Sequence, residues 1–222
     1  DLGTVEPWVR DYLRDRGLFG TSILWFEQDG EGRPLPAERW REYCLSAVTT
    51  HDLPPTAGYL AGVHVRLRAE LDLLTRPAEE ELASDRAAQQ AWMAELRRVG
   101  LLGDDRDEDG AHAADRDGAN DGDGFDDGGG LDDGDGADVD AVVLALHRYL
   151  GRTPSRLLAL SLADAVGEVR TQNQPGTTDE YPNWRVPLGG PDGRQVLLED
   201  VFTDARAAAL CEAMRNSVEP RR

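Results

Sequence analysis

Three short runs of apolar and β-branched residues constrain the fold of this chain more than any other feature. They are residues 21–26, 44–50 and 156–162, and each follows a stretch in which apolar residues recur at helical spacing. A continuous apolar run after a helix is typical of a buried parallel strand. The alternation predicts an α/β fold, the C-terminal half of a (β/α)8 TIM-type barrel. An open doubly wound sheet is less favoured, because no glycine-rich dinucleotide motif follows any run.

Helices and one charged segment account for much of the remaining chain. Apolar residues recur at helical spacing in residues 56–74 and 77–100, which Pro77 separates, and again in residues 203–214.

Composition then divides the chain into three parts. The parts are residues 1–102 with two strands and their helices, residues 103–138 as an Asp- and Gly-rich insertion, and residues 139–222 with the last strand, a polar loop and a C-terminal helix.

The insertion dominates the net charge. Residues 104–140 contain fifteen Asp and one Glu against two Arg, so they supply −14 of the formal charge of −19. Few apolar side chains are available to offset the entropy lost on ordering, and we expect residues 103–138 to be disordered. Calcium binding is the alternative, but the spacing fits neither an EF-hand loop nor a nonapeptide repeat. Elsewhere the sequence has no basic stripe for nucleic acid and no basic amphipathic helix for a membrane.

Cysteine usage and the lack of long apolar runs indicate a cytoplasmic protein. No run approaches the roughly 18 apolar residues that cross a bilayer, and no targeting segment is visible at the start. Cys44 and Cys211 lie far apart in apolar segments, and we expect both to be buried thiols. We expect no metal and no cofactor, since His64, His112 and His147 also lack ligand spacing.

A histidine and an aspartate end the second predicted strand. The active site of a (β/α)8 barrel lies at the carboxyl ends of its strands, where His51 and Asp52 stand. Pro54 and Pro55 follow and prevent the strand from continuing. Two interpretations stay open. The pair either caps the strand, or it hydrogen-bonds vicinal sugar hydroxyls while the sugar ring distorts toward an oxocarbenium ion.

A polar loop offers a second candidate binding feature. Residues 171–185 read Thr-Gln-Asn-Gln-Pro-Gly-Thr-Thr-Asp-Glu-Tyr-Pro-Asn-Trp-Arg, and they combine amides and hydroxyls with an indole ring. Proteins bind sugars with such groups. The same composition is equally consistent with a turn stiffened by proline and glycine and packed by Trp184.

Three motifs in series resemble one enzyme family. Asp1-Leu-Gly stands at the start, Val48-Thr-Thr-His-Asp52 ends the second strand, and Asn173-Gln-Pro-Gly-Thr177 with Asn183-Trp-Arg185 lies in the polar loop. Their order and spacing are similar to those of amylomaltases, the 4-α-glucanotransferases of glycoside hydrolase family 77. The resemblance covers nearly the whole chain apart from the insertion.

The resemblance implies an activity and a role for several residues. Family members transfer a segment of one α-1,4-glucan to the 4-hydroxyl of another, so maltodextrins are the implied partners. Asp52 matches the aspartate that stabilises the transition state, and His51 matches the histidine that contacts the sugar. The other implied substrate-binding residues are Asn173, Pro175, Gly176 and Trp184.

The resemblance also places two catalytic residues outside these 222 residues. In the family the acid/base glutamate stands one position before the residue that matches Asp1, and the aspartate nucleophile lies further upstream. Retention needs two carboxylates about 5 Å apart, so we expect this chain to be inactive alone. An α-amylase-type hydrolase and a non-catalytic glucan-binding module remain alternatives. Leu53 departs from the Asn that many relatives have after His-Asp.

Overall fold

A computed structural model describes residues 6–103 and 138–218 of the chain. Within these ranges three strands form one parallel sheet in the order β1–β2–β3. The strands are β1 (Gly20–Ile23), β2 (Cys44–Ala47) and β3 (Leu157–Leu158). Because all three run the same way, their carboxyl ends meet at one edge of the sheet. The predicted parallel α/β arrangement is confirmed. Of the insertion expected to be disordered, residues 103–138, positions 104–137 lie outside the described residues.

In the described chain one α-helix precedes β1, four lie between β2 and β3, and three follow β3. Their bounds are α1 Pro7–Asp15, α2 Thr56–Leu60, α3 Val63–Glu70, α4 Ala78–Arg98, α5 Val139–Leu150, α6 Leu162–Val166, α7 Leu198–Val201 and α8 Ala205–Val218. Two short 3-10 turns, Leu24–Phe26 and Ala37–Arg39, follow β1 and precede β2. None of the helices in residues 6–103 and 138–218 is long and apolar enough to cross a membrane.

The strands are shorter than the apolar runs that predict them. Residues 24–26 turn into a 3-10 helix, although Leu24 remains fully buried. After β2 the chain leaves the sheet at Val48, which is also buried. After β3 the Ser161 hydroxyl accepts the amide of Ala163 and caps α6, so the third run ends as a helix. An apolar run indicates that residues are buried, but it does not specify an extended backbone.

Helical spacing predicts one long helix correctly and another incorrectly. The predicted helix over residues 77–100 is confirmed by α4, in which the buried residues are Gln89, Trp92, Met93 and Leu96. The single helix predicted over residues 56–74 is wrong. Gly62 separates α2 from α3 with a left-handed φ of 65°, a conformation that glycine adopts without a steric penalty.

The core lies between the sheet and the helices α4, α5 and α8. In α5 the side chains of Leu146, Tyr149 and Leu150 are fully buried. The ring of Tyr149 meets that of Trp92 edge to face with 5.4 Å between centroids. Because β2 pairs with β3, residues before and after the insertion contribute to one sheet.

The two cysteines differ in burial. Cys44 lies buried in β2, as expected, but Cys211 is exposed on α8. The buried residues of α8 are Ala207, Leu210 and Ala213. Position 211 directly follows one of them and is rotated by about 100° around the helix axis, away from the core. The expectation that both thiols are buried is therefore wrong for Cys211.

Replacing Gly58 by Ala should destabilise the fold. A methyl group at this position in α2 would lie 2.1 Å from the Val169 carbonyl oxygen, so the backbone would have to move. We expect the free energy of unfolding to fall by about 1–3 kcal/mol, as in other overpacked sites. Urea unfolding measures the change. Gly30→Ala is the matched control, since no atom lies within 4 Å of its added methyl group; equal stability of the two variants would contradict the prediction.

Candidate functional site

The candidate site begins where the chain leaves the carboxyl end of β2. The hydroxyl of Thr49 donates to the carbonyl of Pro54 at 2.8 Å, and this bond closes the exit into a tight turn. His51 and Asp52 stand at its tip with side chains 61% and 53% exposed. The turn is thus anchored in the protein interior at Thr49, while the side chains of His51 and Asp52 are exposed to solvent.

The polar loop meets this tip. The amide nitrogen Nδ2 of Asn173 donates to Oδ1 of Asp52 at 2.7 Å. On the other side, Nε2 of His51 lies 3.3 Å from Oδ2 of Asp52. The ring of Trp184 lies beside that of His51, with 5.2 Å between centroids and 46° between planes. Four of the predicted site residues therefore form one contiguous cluster.

Two further predicted residues lie at the next turn of the loop. Pro175 and Gly176 are exposed, and Gly176 has a left-handed φ of 92°. The amide of Thr177 donates to the carbonyl of Gln174 at 3.3 Å and closes this turn. Both residues shape the backbone that follows Asn173, and their contact with a substrate stays a prediction.

Side chains of the loop hold its two arms together. Oδ1 of Asn183 accepts the backbone amide of Gln174 at 2.7 Å, and its Nδ2 donates to the Thr177 hydroxyl at 2.8 Å. The amide of Trp184 donates to the carbonyl of Gln172 at 2.9 Å. Trp184 has a φ of 62°, which is rare for a bulky residue. Such strain persists only where neighbouring contacts enforce it.

A buried carboxylate at the end of α6 closes the base of the loop. Glu168 is 0% exposed. Its Oε1 accepts the amides of Val169 and Arg170 at 3.0 and 2.8 Å, and its Oε2 accepts the amide of Gly189 at 2.7 Å. The Arg170 guanidinium adds bonds at 2.9 and 2.7 Å. We call Glu168, Arg170 and Gly189 the Glu168 clasp.

A second buried carboxylate lies four residues earlier, on α6. Oδ1 of Asp164 accepts the amide of Thr56 at 2.7 Å, and its Oδ2 accepts the Thr56 hydroxyl at 2.8 Å. Burial raises the pKa of Asp164, while buried His147 and the bonds from Thr56 oppose that rise. Nε2 of His147 lies 3.7 Å from Oδ2 of Asp164, and its Nδ1 donates to the carbonyl of Val143 at 2.8 Å.

Sequence reasoning assigned no role to Asp164 or Glu168. Both lie just after the third apolar run, among the apolar residues of positions 162–169, where an acidic residue is unusual enough to be a signal. Their partners were not visible, because Thr56 lies 108 positions from Asp164 and Gly189 lies 21 positions from Glu168.

A cavity of about 420 Å³, lined largely by apolar side chains with a few polar groups among them, opens between the carboxyl ends of β2 and β3. His51, Gln172, His147 and Asp164 are among its lining residues. Nε2 of Gln172 and Nε2 of His147 are buried and have no hydrogen-bond partner within the described part of the chain. Buried polar atoms of this kind are normally satisfied by water or by ligand hydroxyls. No group of three or more metal-ligating side chains occurs in residues 6–103 and 138–218.

The described chain is an α/β protein with parallel strands. Its polar cluster lies at the carboxyl ends of the strands, where the sites of such proteins usually lie. Residues 1–191 match the family model of glycoside hydrolase family 77, described as 4-alpha-glucanotransferase. The chain belongs to this family, and the resemblance inferred from its motifs is confirmed.

Relatives extend the match over nearly the whole chain. The 4-alpha-glucanotransferases of Mycobacterium tuberculosis and Mycobacterium bovis are 65% identical over 97% of this chain and 26% of their own length. That of Haemophilus influenzae is 25% identical over 86% of this chain and 24% of its own length. The crystal structure of amylomaltase from Corynebacterium glutamicum matches with a TM-score of 0.77 and 37% identity, covering 96% of this chain and 28% of that one. This chain thus spans about a quarter of the length of these relatives.

Replacing Asn183 by Ala should loosen the polar loop. The change removes the acceptor of the Gln174 amide and the donor to Thr177. Loss of one hydrogen bond worth about 1 kcal/mol should raise the exchange rate of the Gln174 amide roughly fivefold. Hydrogen–deuterium exchange measures the rate. Asn216→Ala, on the exposed face of α8, is the control, and identical exchange in both variants would show that Asn183 does not support the loop.

Proposed function

We propose that the protein containing this chain transfers segments of α-1,4-glucans between maltodextrins, with Asp52 stabilising the transition state. The cluster of Asp52 with Asn173 and His51 supports this proposal most directly. Its carboxylate is oriented from both sides at a strand end, and it remains about half exposed. An oriented and half-exposed carboxylate of this kind is suited to bind a sugar, and it does not serve as a packing group of the core.

The chemistry follows from the geometry of the carboxylate. Each carboxylate oxygen has more than one acceptor position, so Asp52 can accept sugar hydroxyls while it keeps its bonds to the protein. In a retaining double displacement, hydrogen bonds to ring hydroxyls strengthen as the sugar approaches an oxocarbenium-like transition state. Because the neighbours of Asp52 fix its orientation in advance, little reorganisation is needed at that moment.

Trp184 supplies an apolar surface beside this carboxylate. Its indole is 64% exposed and lies against the His51 ring. An aromatic face can stack on the apolar face of a glucose unit and displace water from it. Acceptor sugars bound in this way compete with water for the glycosyl intermediate, which favours transfer over hydrolysis. Maltodextrins are therefore the partners we propose, with neither nucleic acid nor membrane involved.

We further propose that β1, β2 and β3 are consecutive strands of a (β/α)8 barrel. They are parallel, and their spatial order equals their order along the chain. A doubly wound sheet reverses its strand order at a switch point, whereas a barrel continues in one direction. In this arrangement residues 1–102 supply two strands with their helices, and residues 139–222 supply the last strand, the polar loop and the C-terminal helix.

The remaining catalytic groups belong, in this proposal, to other parts of the protein. A retaining mechanism needs a nucleophile and an acid/base about 5 Å apart, and we propose that both come from segments of the protein other than these 222 residues. The 222 residues alone are accordingly expected to be inactive. We place the activity in the cytoplasm, since Cys44 and Cys211 are both free thiols.

Replacing Asp52 by Asn should abolish transfer in the full gene product that contains these residues. The amide keeps the shape but lacks the charge that stabilises the transition state, so we expect kcat to fall by at least about 10²-fold. Incubation with maltotriose, followed by chromatography of glucose and longer maltodextrins, measures the loss.

The products also distinguish the alternatives. Longer maltodextrins that disappear with Asp52→Asn support the transferase. Glucose and maltose without longer products would instead indicate an α-amylase-type hydrolase. No turnover by the folded wild-type protein would favour a glucan-binding module.

Replacing Trp184 by Ala should weaken glucan binding with little effect on folding. Loss of a stacking contact worth about 0.5–1.5 kcal/mol raises the Kd by roughly two- to tenfold. Calorimetric titration with maltoheptaose measures the Kd. Trp8 on α1 is 63% exposed, close to the 64% of Trp184, so Trp8→Ala is the matched control. An equal loss of affinity in both variants would speak against a specific platform.

A further inference from the structure

Two buried carboxylates that the proposed reaction does not use lie on the short helix α6 and just after it. Asp164 is 2% exposed and Glu168 is 0% exposed. Burying a carboxylate is unfavourable unless hydrogen bonds replace its water. Each of the two is satisfied by a different segment of the chain, and each of those segments leads directly to one half of the candidate site.

Asp164 holds the half that contains Asp52. It accepts both the amide and the hydroxyl of Thr56, the first residue of α2, four positions after Asp52. The other end of this exit is anchored by β2. The turn that presents His51 and Asp52 is therefore fixed at both ends, by the sheet on one side and by Asp164 on the other.

Glu168 holds the half that contains Asn173 and Trp184. The Glu168 clasp joins residue 168 to residue 189 through the Gly189 amide, and the Arg170 guanidinium also donates to the carbonyl of Pro187 at 2.8 Å. A methyl group on Gly189 would lie 2.4 Å from Arg170 Nη2, so only glycine fits here without displacement. Both ends of the polar loop are thus hydrogen-bonded to the buried carboxylate of Glu168.

Close backbone contact sets the distance between the two halves. In α2 the Cα of Gly58 faces the carbonyl of Val169, and even a methyl group there would lie 2.1 Å from that oxygen. Val169 directly follows Glu168 and donates its amide to that carboxylate. The exit of β2 and the base of the polar loop are consequently packed against the same few residues.

We propose that Asp164 and Glu168 are positioning residues that together set the register between Asp52 and the polar loop. Asp164 fixes the exit of β2, Glu168 fixes the base of the loop, and the short segment between them keeps the two aligned. The bond of 2.7 Å from Asn173 to Asp52 is the result of this alignment. The inference rests on the proposed function, because only that function requires Asp52 and the loop to act on one sugar.

Loss of register should affect catalysis more than folding. A displacement of about 1 Å between groups that act on one transition state can lower a rate by about 10²-fold. Ground-state binding of a long maltodextrin depends on many contacts and should change less. The bonds from Thr56 to Asp164 and the Glu168 clasp also act separately. Loss of either should therefore loosen only the half of the site that it holds.

The test uses two variants of the full gene product. Glu168→Gln keeps the size of the side chain but replaces one acceptor oxygen by an amide that cannot accept the amide or guanidinium donors. Thr56→Val keeps the shape but removes the hydroxyl bond to Asp164. Leu96→Ala, in the core face of α4, is a control that lowers stability without touching either support. All proteins are assayed well below their melting temperatures.

We expect both variants to lose at least about tenfold in kcat for maltotriose disproportionation, with KM changed by less than threefold. The control should keep its kcat within about twofold, even if its melting temperature falls further. A kcat within twofold of the wild type for both variants would overturn the inference. If Glu168→Gln does not fold, Arg170→Gln removes only the guanidinium bonds of the clasp, and the same outcomes apply.

Hydrogen–deuterium exchange separates this inference from the proposed function. Glu168→Gln should speed exchange in residues 171–188 and leave residues 48–55 unchanged, while Thr56→Val should do the reverse. This pattern is measurable even if the wild-type protein shows no transfer, a result that would overturn the function alone. Equal acceleration of both segments in both variants would indicate general loosening and would overturn the positioning role.

Discussion

Parallel pairing on both sides of β2 is the constraint on which the described structure depends. Its backbone is paired with β1 from Cys44 to Ala47 and with β3 at Leu45 and Ser46. A shift of this strand by one residue would reverse the direction of every side chain and expose its buried face. Since the helix α5 packs across the same strand, sheet and core hold it together. The residues that follow β2 inherit this rigidity, and they include His51 and Asp52.

Exposed and buried polar groups have different tasks in this architecture. His51, Asp52 and Trp184 are open to solvent, whereas Asp164 and Glu168 are buried and satisfied by protein donors. Groups that meet a substrate must lie at the surface, but there water and thermal motion would leave them poorly oriented. A fully satisfied buried network is rigid, because any displacement leaves a donor or an acceptor unpaired. The buried carboxylates thus transmit the order of the core to an exposed site.

Burial and residue type could be predicted from the sequence, whereas backbone conformation and long-range partners could not. The apolar runs correctly predicted three parallel strands, but Leu24 and Val48 are buried outside them. The break at Gly62 depends on its positive φ, which periodicity does not reveal. For the candidate site, the motifs predict Asp52, His51, Asn173 and Trp184, which the fold brings into one cluster. The network around Asp164 depends on Thr56, 108 positions away, and only the fold shows that they meet.

The strained backbone of Trp184 links the rigidity of the loop to the proposed chemistry. A φ of 62° is unfavourable for tryptophan, yet it directs the indole toward the His51 ring. The loop tolerates this conformation because the Trp184 amide is bonded to Gln172 and the arms are joined through Asn183. Water can attack a glycosyl intermediate from any orientation, whereas a sugar must arrive with one hydroxyl aligned. A site that transfers glucans therefore gains more from an enforced aromatic surface than a site that only hydrolyses them.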